Sequence, residues 1–370
     1  MSALFSPHTL RSVKLANRIV VSPMCQYSAE RGEANEWHMI HLGHLALSGA
    51  AMLCIEATAV EPEGRITPGD LGLWDDVTEA ALKPVLAAIR KHSKIAVTMQ
   101  LAHAGRKASS HAPWDGGQLI PVSEGGWLPH APSAVPQKAD ETPPLALDTA
   151  GLIRVREAFV ASAKRAARLG IDGIEVHAAH GYLLHQFLSP IANHRTDEYG
   201  GSLENRMRYP LEIFDAVRAA FPADKPVGVR VSATDWVEGG WGIEDTIAFA
   251  NELKKRGVDW VDVSSGGVSP LQKIPLEPGY QVPFAKAVKE ATGVNTVAVG
   301  LITDPVHAEE IVASGTADFV AMARAMLYDP RWPWHAAAVL GASVDAPPQY
   351  WRSQPRELKT LFGDISFGQR

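Results

Sequence analysis

Gly173-Ile-Glu-Val-His177, running on into Ala-Ala-His180-Gly-Tyr182, is the stretch on which the fold turns. It is an apolar run about one strand long, and it ends in polar residues and a glycine, where a chain leaves a sheet. On its N-terminal side lies the amphipathic stretch Ala150–Leu169, closed by Gly170, and beyond it the helical stretch Leu203–Ala220. One strand between two helices is the repeating unit of a parallel sheet covered on both faces.

Working outward, the same unit recurs along the chain. The strands expected are Ile19–Ser22, Ala51–Ala57, Ile95–Leu101, Gly173–His177, Val227–Ser232, Trp260–Ser264, Thr296–Val299 and Phe319–Ala323. Helices are expected at His38–Ser48, Asp76–His92, Ala150–Leu169, Leu203–Ala220, Ile243–Arg256, Val282–Ala291, Pro305–Ala313 and Trp332–Leu340, several ending near a glycine such as Gly257 or Gly315. Eight strand–helix pairs in 370 residues predict an α/β protein, a (β/α)8 TIM barrel, forming a single domain over residues 1–370. No G-x-G-x-x-G follows any strand, so an open dinucleotide-binding sheet finds no support. Phe5–Arg18 predicts an N-terminal hairpin closing the barrel bottom. Residues 102–148, rich in Pro, Gly and Trp, follow the third strand and are too long for a plain connection; they predict a capping segment over the active-site face. Residues 341–370 form a C-terminal tail whose Gln349-Tyr-Trp-Arg-Ser-Gln-Pro-Arg356 is unusually aromatic and basic.

Composition narrows the function. A net charge of −6 with scattered Lys and Arg argues against nucleic acid or an anionic membrane as partner. Two cysteines, Cys25 and Cys54, exclude a disulfide framework and any four-cysteine zinc or iron–sulfur site within the chain. No run is long and apolar enough to span a bilayer, and the start Met1-Ser-Ala-Leu-Phe-Ser-Pro-His8 lacks the features of a signal peptide. A cytoplasmic location is expected.

Polar residues gather where the strands end. Ser22-Pro-Met-Cys-Gln-Tyr27 follows the first, Glu56 and Ala57 close the second, and Gln100-Leu-Ala-His-Ala-Gly-Arg-Lys107 ends the third. His177–Tyr182 ends the fourth, Arg230 lies in the fifth, Ser264 ends the sixth, Gly300 follows the seventh and Ala323-Arg324 the eighth. A shared polar cavity at one barrel mouth accounts for all of them. Glycine and arginine after strands seven and eight suit a phosphate, a buried Arg230 calls for an anionic partner, and Gln100 offers donor and acceptor to a flat amide-like edge. His177 and His180 admit three readings. One is a packed core histidine with an exposed neighbour. Another is a metal site completed by His103, although barrel hydrolases favour His-x-His on a strand. The third is a pair of donors to a carbonyl oxygen, with the protonated phenol of Tyr182 beside them.

Together, Asn17-Arg-Ile19, Ser22–Tyr27, Gln100–Lys107, His177-Ala-Ala-His-Gly-Tyr-Leu183 and Asn193-His-Arg-Thr-Asp-Glu-Tyr-Gly-Gly-Ser-Leu-Glu-Asn-Arg206 resemble the Old Yellow Enzyme family, specifically its thermophilic-like, or xenobiotic-reductase-like, branch. The resemblance runs nearly the whole chain. It implies an FMN ene-reductase that takes hydride from NADPH or NADH and reduces C=C bonds conjugated to carbonyl or nitro groups, with enones, maleimides and nitro compounds as substrates. By the same resemblance Ser22, Pro23, Met24, Cys25, Ala57, Gln100, Arg230, Gly300, Ala323 and Arg324 contact FMN, Cys25 tunes its potential, and Lys107 lies near the pocket. His177 and His180 hold the substrate oxygen, Tyr182 donates the proton and Tyr27 lines the substrate side. Arg352 matches an arginine that reaches the neighbouring subunit's site, implying a homodimer or a dimer-based tetramer. The long segment carrying Trp114 and Trp127 departs from the shortest members. Relatives with appended iron–sulfur and second flavin domains act on dienoyl-CoA, and this chain is too short and cysteine-poor for that arrangement.

Overall fold

Each expected strand forms, because each is a run of β-branched and small apolar residues that can be covered on both faces. In the computed structural model, which describes residues 2–366, the strands are Ile19–Val21, Met52–Ala59, Ala96–Ala102, Gly173–Ala178, Val227–Ser232, Val261–Ser264, Thr296–Ala298 and Phe319–Met322. All pair in parallel in chain order, and the ring closes where Val20 meets Ala321 of the eighth strand and Met52 of the second. The helices between them run Glu36–Ala46, Asp76–His92, Thr149–Arg168, Leu203–Ala220, Ile243–Lys255, Val282–Thr292, Pro305–Ala313 and Trp332–Leu340. Side-chain caps at Asn35, Asp75, Asp148, Ser202 and Asp304 start five of them.

The hairpin His8–Leu10 with Val13–Leu15 packs Leu10 and Leu15 onto Val20, Met52, Trp260, Val297 and Phe319 at the strands' N-terminal ends. It closes the bottom, as expected. Above this apolar floor the interior changes character. Ile174, Val176, Val229 and Val231 pack with the surrounding helices, so their alternating neighbours Glu175, His177 and Arg230 point inward. Register sets Gln100 beside Glu175, His177 beside Arg230, and Arg230 beside Asp262. The barrel is therefore apolar below and ionic near its mouth.

Three features escape the sequence pattern. Short helices at Leu183–Leu188 and Arg324–Tyr328 are too brief to show a period, and the capping segment carries a small parallel pair, His130–Ala131 with Leu145–Ala146. Among the described residues, no helix is long and apolar enough to cross a membrane.

Gly228 shows how tightly the ionic layer is seated. A Cβ there would lie 2.0 Å from the Trp260 ring, which is fully buried. Gly228→Ala is expected to cost roughly 1–3 kcal/mol by overpacking, read as a lower urea midpoint. An unchanged midpoint would mean that the indole has room to move.

Candidate active site

The turn leaving the fourth strand is held from below. His180 has φ +58° and Gly181 φ +74°, so the chain bends sharply after Ala179. A side chain at Gly181 would strike the Gly267 carbonyl at 2.1 Å. His185 Nδ1 accepts from Gly181 N at 2.8 Å while its Nε2 meets Asp235 Oδ1 at 2.8 Å. Gln186 Nε2 donates to Gly181 O at 2.7 Å, and its Oε1 accepts from Arg106 N at 3.1 Å. Sequence reading missed both, because neither belongs to a recognised motif. The spacing of His185 and Gln186 one turn into a helix is the signal that was available.

The turn brings three rings together. His177 lies 5.2 Å from His180 and 5.0 Å from Tyr182, centroid to centroid, edge-on in both cases. His177 Nδ1 accepts from Ala179 N at 3.3 Å, which puts its proton on Nε2. His180 Nε2 meets Ser264 Oγ at 2.7 Å. Burial, then the positive charge of Arg230, hold both imidazoles well below the usual histidine range, so both are neutral. Burial also pushes the Tyr182 phenol well up, so it keeps its proton. Lys107 Nζ donates to the carbonyls of His180 and Gly267 at 2.9 and 3.2 Å and stands 4.9 Å from the Tyr182 ring centre. Burial, then Arg106, lower its pKa to about 8.

Beneath these rings lies the ionic layer. Arg230 Nε is 3.3 Å from Asp262 Oδ2, and among the described residues the guanidinium has no hydrogen-bond partner. Gln100 Nε2 donates to Glu175 Oε1 at 2.8 Å, and Trp260 Nε1 donates to Oε2 at 3.2 Å. The expectation that Arg230 needs an anionic partner is thus met in part by the protein itself, through two carboxylates the sequence reading passed over. Charged residues alternating with valine in Ile-Glu-Val and Val-Asp-Val were the available signal.

The remaining residues ring the same mouth. Ser22 N donates to Met322 O, tying the first strand's exit to the eighth, while the buried Ser22 Oγ has no partner among the described residues. Glu56 Oε2 accepts from Gln26 N at 2.8 Å and so fixes the turn carrying Pro23, Met24 and Cys25. Burial, then the Asp70 and Glu56 carboxyls, push the Cys25 thiol well up, so it is neutral. Ala57 lies where the register between the second and third strands shifts. Gly300, Leu301, Ala323 and Arg324 line a cavity of about 180 Å³, and among the described residues their four backbone N–H groups have no acceptor. Tyr27 and Tyr182 line a second cavity of about 270 Å³ whose other walls come from Ile66, Thr67 and capping residues, among them Arg106, His111 and Glu141. Tyr27 also leans edge-on against Trp114 at 5.6 Å.

Two candidates are not brought in. His103 Nε2 meets Glu61 Oε1 at 3.0 Å and its Nδ1 accepts from Gly105 N at 3.0 Å. With both nitrogens committed, it completes no triad with His177 and His180, and the three-imidazole metal reading falls. Arg352 is exposed on the short helical turn Pro348–Ser353, within a tail that docks on its own Trp334. The adjacent Trp351 lines a groove with Gly49–Ala51 and Ile95, at the barrel bottom, so this arginine lies on the face opposite its own mouth.

Unpaired N–H groups and an arginine after strands seven and eight fit a phosphate. A partnerless Ser22 hydroxyl, an amide and a buried guanidinium fit the polar edge of a flat ring. Fold and site together define a flavin-binding barrel oxidoreductase. Residues 3–341 match the model of the NADH:flavin oxidoreductase / NADH oxidase family, and the chain belongs to this FMN-dependent family. It is 44% identical to an NADPH dehydrogenase of Geobacillus thermodenitrificans over 95% of this chain and 98% of that one. It is 45% identical to an NADH:flavin oxidoreductase of Gibberella zeae, covering 92% and 86%. Among solved structures, morphinone reductase superposes with a TM-score of 0.76 at 30% identity, covering 94% and 92%. The Old Yellow Enzyme resemblance stands.

The His103–Glu61 pair anchors the base of the capping segment. Burial would raise the Glu61 carboxyl, but His103 and then Arg154 outweigh it and hold it at about 2, below the ordinary 4.5. Stability from this pair is therefore full above 4.5 and disappears as the pH falls toward 2. Glu61→Gln should lower stability by roughly 3 kcal/mol at neutral pH, with the deficit vanishing in acid. Denaturant titrations across that window check this, and a pH-independent deficit would refute it.

Proposed function

We propose that the chain is an NAD(P)H-dependent ene-reductase acting on α,β-unsaturated carbonyl compounds and related nitro compounds. The observation that carries this reading is the cluster of two neutral imidazoles and a protonated phenol within about one ring's contact at the barrel mouth. The names of the relatives, which carry NADPH and NADH, support the nicotinamide donor.

Bound FMN supplies hydride chemistry, accepting hydride from the nicotinamide and passing it to an activated C=C bond. The phosphate is assigned to Arg324 with the N–H groups of Gly300, Leu301, Ala323 and Arg324. The ring is assigned to Ser22, Pro23, Met24, Cys25, Ala57, Gln100 and Arg230. His177 donates through Nε2 to the substrate oxygen. His180 donates through Nδ1, which requires Ser264 Oγ to donate to its Nε2, 2.7 Å away, and leave Gln281 Oε1, 3.3 Å away, to Ser265. Because both are uncharged, they hold the oxygen as negative charge develops on it without first binding an anion. Tyr182 protonates the α-carbon, its ring steadied by Lys107, and Tyr27 lines the substrate side.

The reading extends to assembly. Arg352, exposed and remote from its own mouth, is assigned to the mouth of a second copy in a homodimer or a tetramer of dimers.

Steady anaerobic oxidation of NADPH or NADH with cyclohexenone or a maleimide tests the activity. Flavin that is bound but never turned over would instead mark a non-catalytic flavin protein. Tyr182→Phe should slow reoxidation by enone by roughly 10²-fold and leave reduction by the nicotinamide nearly unchanged. Equal loss in both half-reactions, measured by stopped flow, would remove the proton assignment. A monomer in sedimentation that keeps full activity would remove the role of Arg352.

A further inference from the structure

The ionic layer beneath the mouth holds more acid than base. Arg230 stands between Asp262, 3.3 Å away, and Glu175, and all three side chains are buried. Glu175 faces two groups that only donate to it, the Gln100 amide N–H and the Trp260 indole N–H, so the geometry matches a carboxylate and not a carboxylic acid. Asp262 has one oxygen toward Arg230 and the other, Oδ1, without a donor among the described residues. A lone guanidinium would need one counter-charge at most, and a second buried carboxylate is costly unless it serves a purpose.

We propose that Glu175 and Asp262 are positioning residues for the flavin's redox balance, counter-charges that offset Arg230 and limit how much it favours the electron-rich form of the cofactor. The inference rests on the reading that Arg230 faces the flavin's polar edge, which becomes anionic on reduction. An unopposed cation there favours taking hydride from the nicotinamide but makes the hydride harder to give up. Two buried negative charges, acting where solvent screens little, restore the balance. Gln100, held by Glu175, places its remaining amide groups on the same edge.

The test is the midpoint potential of the FMN-loaded protein, by dye equilibration, in Asp262→Asn and Glu175→Gln. It is measured well above pH 7, since burial raises both carboxyls despite Arg230, Asp262 to about 7. Both substitutions keep shape and remove charge. Each should tighten binding of reduced over oxidised flavin about tenfold, an upward shift of about 30 mV. A merely structural role would loosen both forms alike and leave the potential where it was. An unchanged or lowered potential overturns the proposal, and either variant suffices if the other does not fold. Arg230→Met separates the underlying reading. If it leaves the potential unchanged, Arg230 does not face the flavin and both readings fail. If it lowers the potential while the carboxylate variants do not raise it, only the counter-charge proposal fails.

Discussion

Arg230 sits on the inner face of the fifth strand with Asp262 3.3 Å from its Nε and Glu175 beside it. A buried guanidinium costs several kcal/mol to desolvate unless neighbours compensate, so it dictates what surrounds it. The sixth strand must offer a carboxylate at Asp262, the fourth another at Glu175, and Trp260 must lie across Gly228 to donate to Glu175. The same charge reaches upward. It helps to strip protons from His177 and His180, which makes them neutral donors. Core packing and site chemistry are thus joined at one side chain.

Above that layer the backbone does the aiming. A left-handed bend at His180 and Gly181 brings the His180 imidazole and the Tyr182 phenol round to His177 at the strand's end, and His185, Gln186 and Lys107 grip the bend through its backbone groups. The strained φ of His180 is sustained because three side chains, on two separate elements, tie it down. The site's precision comes from side chains that act on the backbone of the turn and not on the reacting rings alone.

Much of this was legible in the chain. Runs such as Val227–Ser232 and Phe319–Met322 are short, β-branched and flanked by helical periods, and these local features agree with one another along the whole barrel. Residues at strand ends were legible too, since Gln100, His177 and Arg324 stand out where a run stops. What escaped were relations between distant segments. Nothing in the sequence pairs Glu175 with Trp260, 85 positions on, or His103 with Glu61. His103 looked like a third ligand only because its neighbours in sequence lie near the site. The burial of Arg230 follows from its place inside a strand, but its partners lie on other strands, hidden in the alternation of Ile-Glu-Val and Val-Asp-Val.

The capping segment is pinned at intervals, with Lys107 bonded to His180 O, Trp127 to Glu63 O and Ser133 to His194 N. Arg106 grips Gln137 and the Val268 carbonyl, and His130–Ala131 pairs with Leu145–Ala146 just before the helix that begins at Thr149. Much of the chain between these anchors is exposed, as at Trp114, Val122 and Leu128. Such surface loops tolerate insertion and replacement because little of the core depends on them. The wall over Tyr27 and Tyr182 can therefore diverge among descendants of this sequence while the reacting groups stay in place. Selectivity and chemistry are inherited as nearly separate modules.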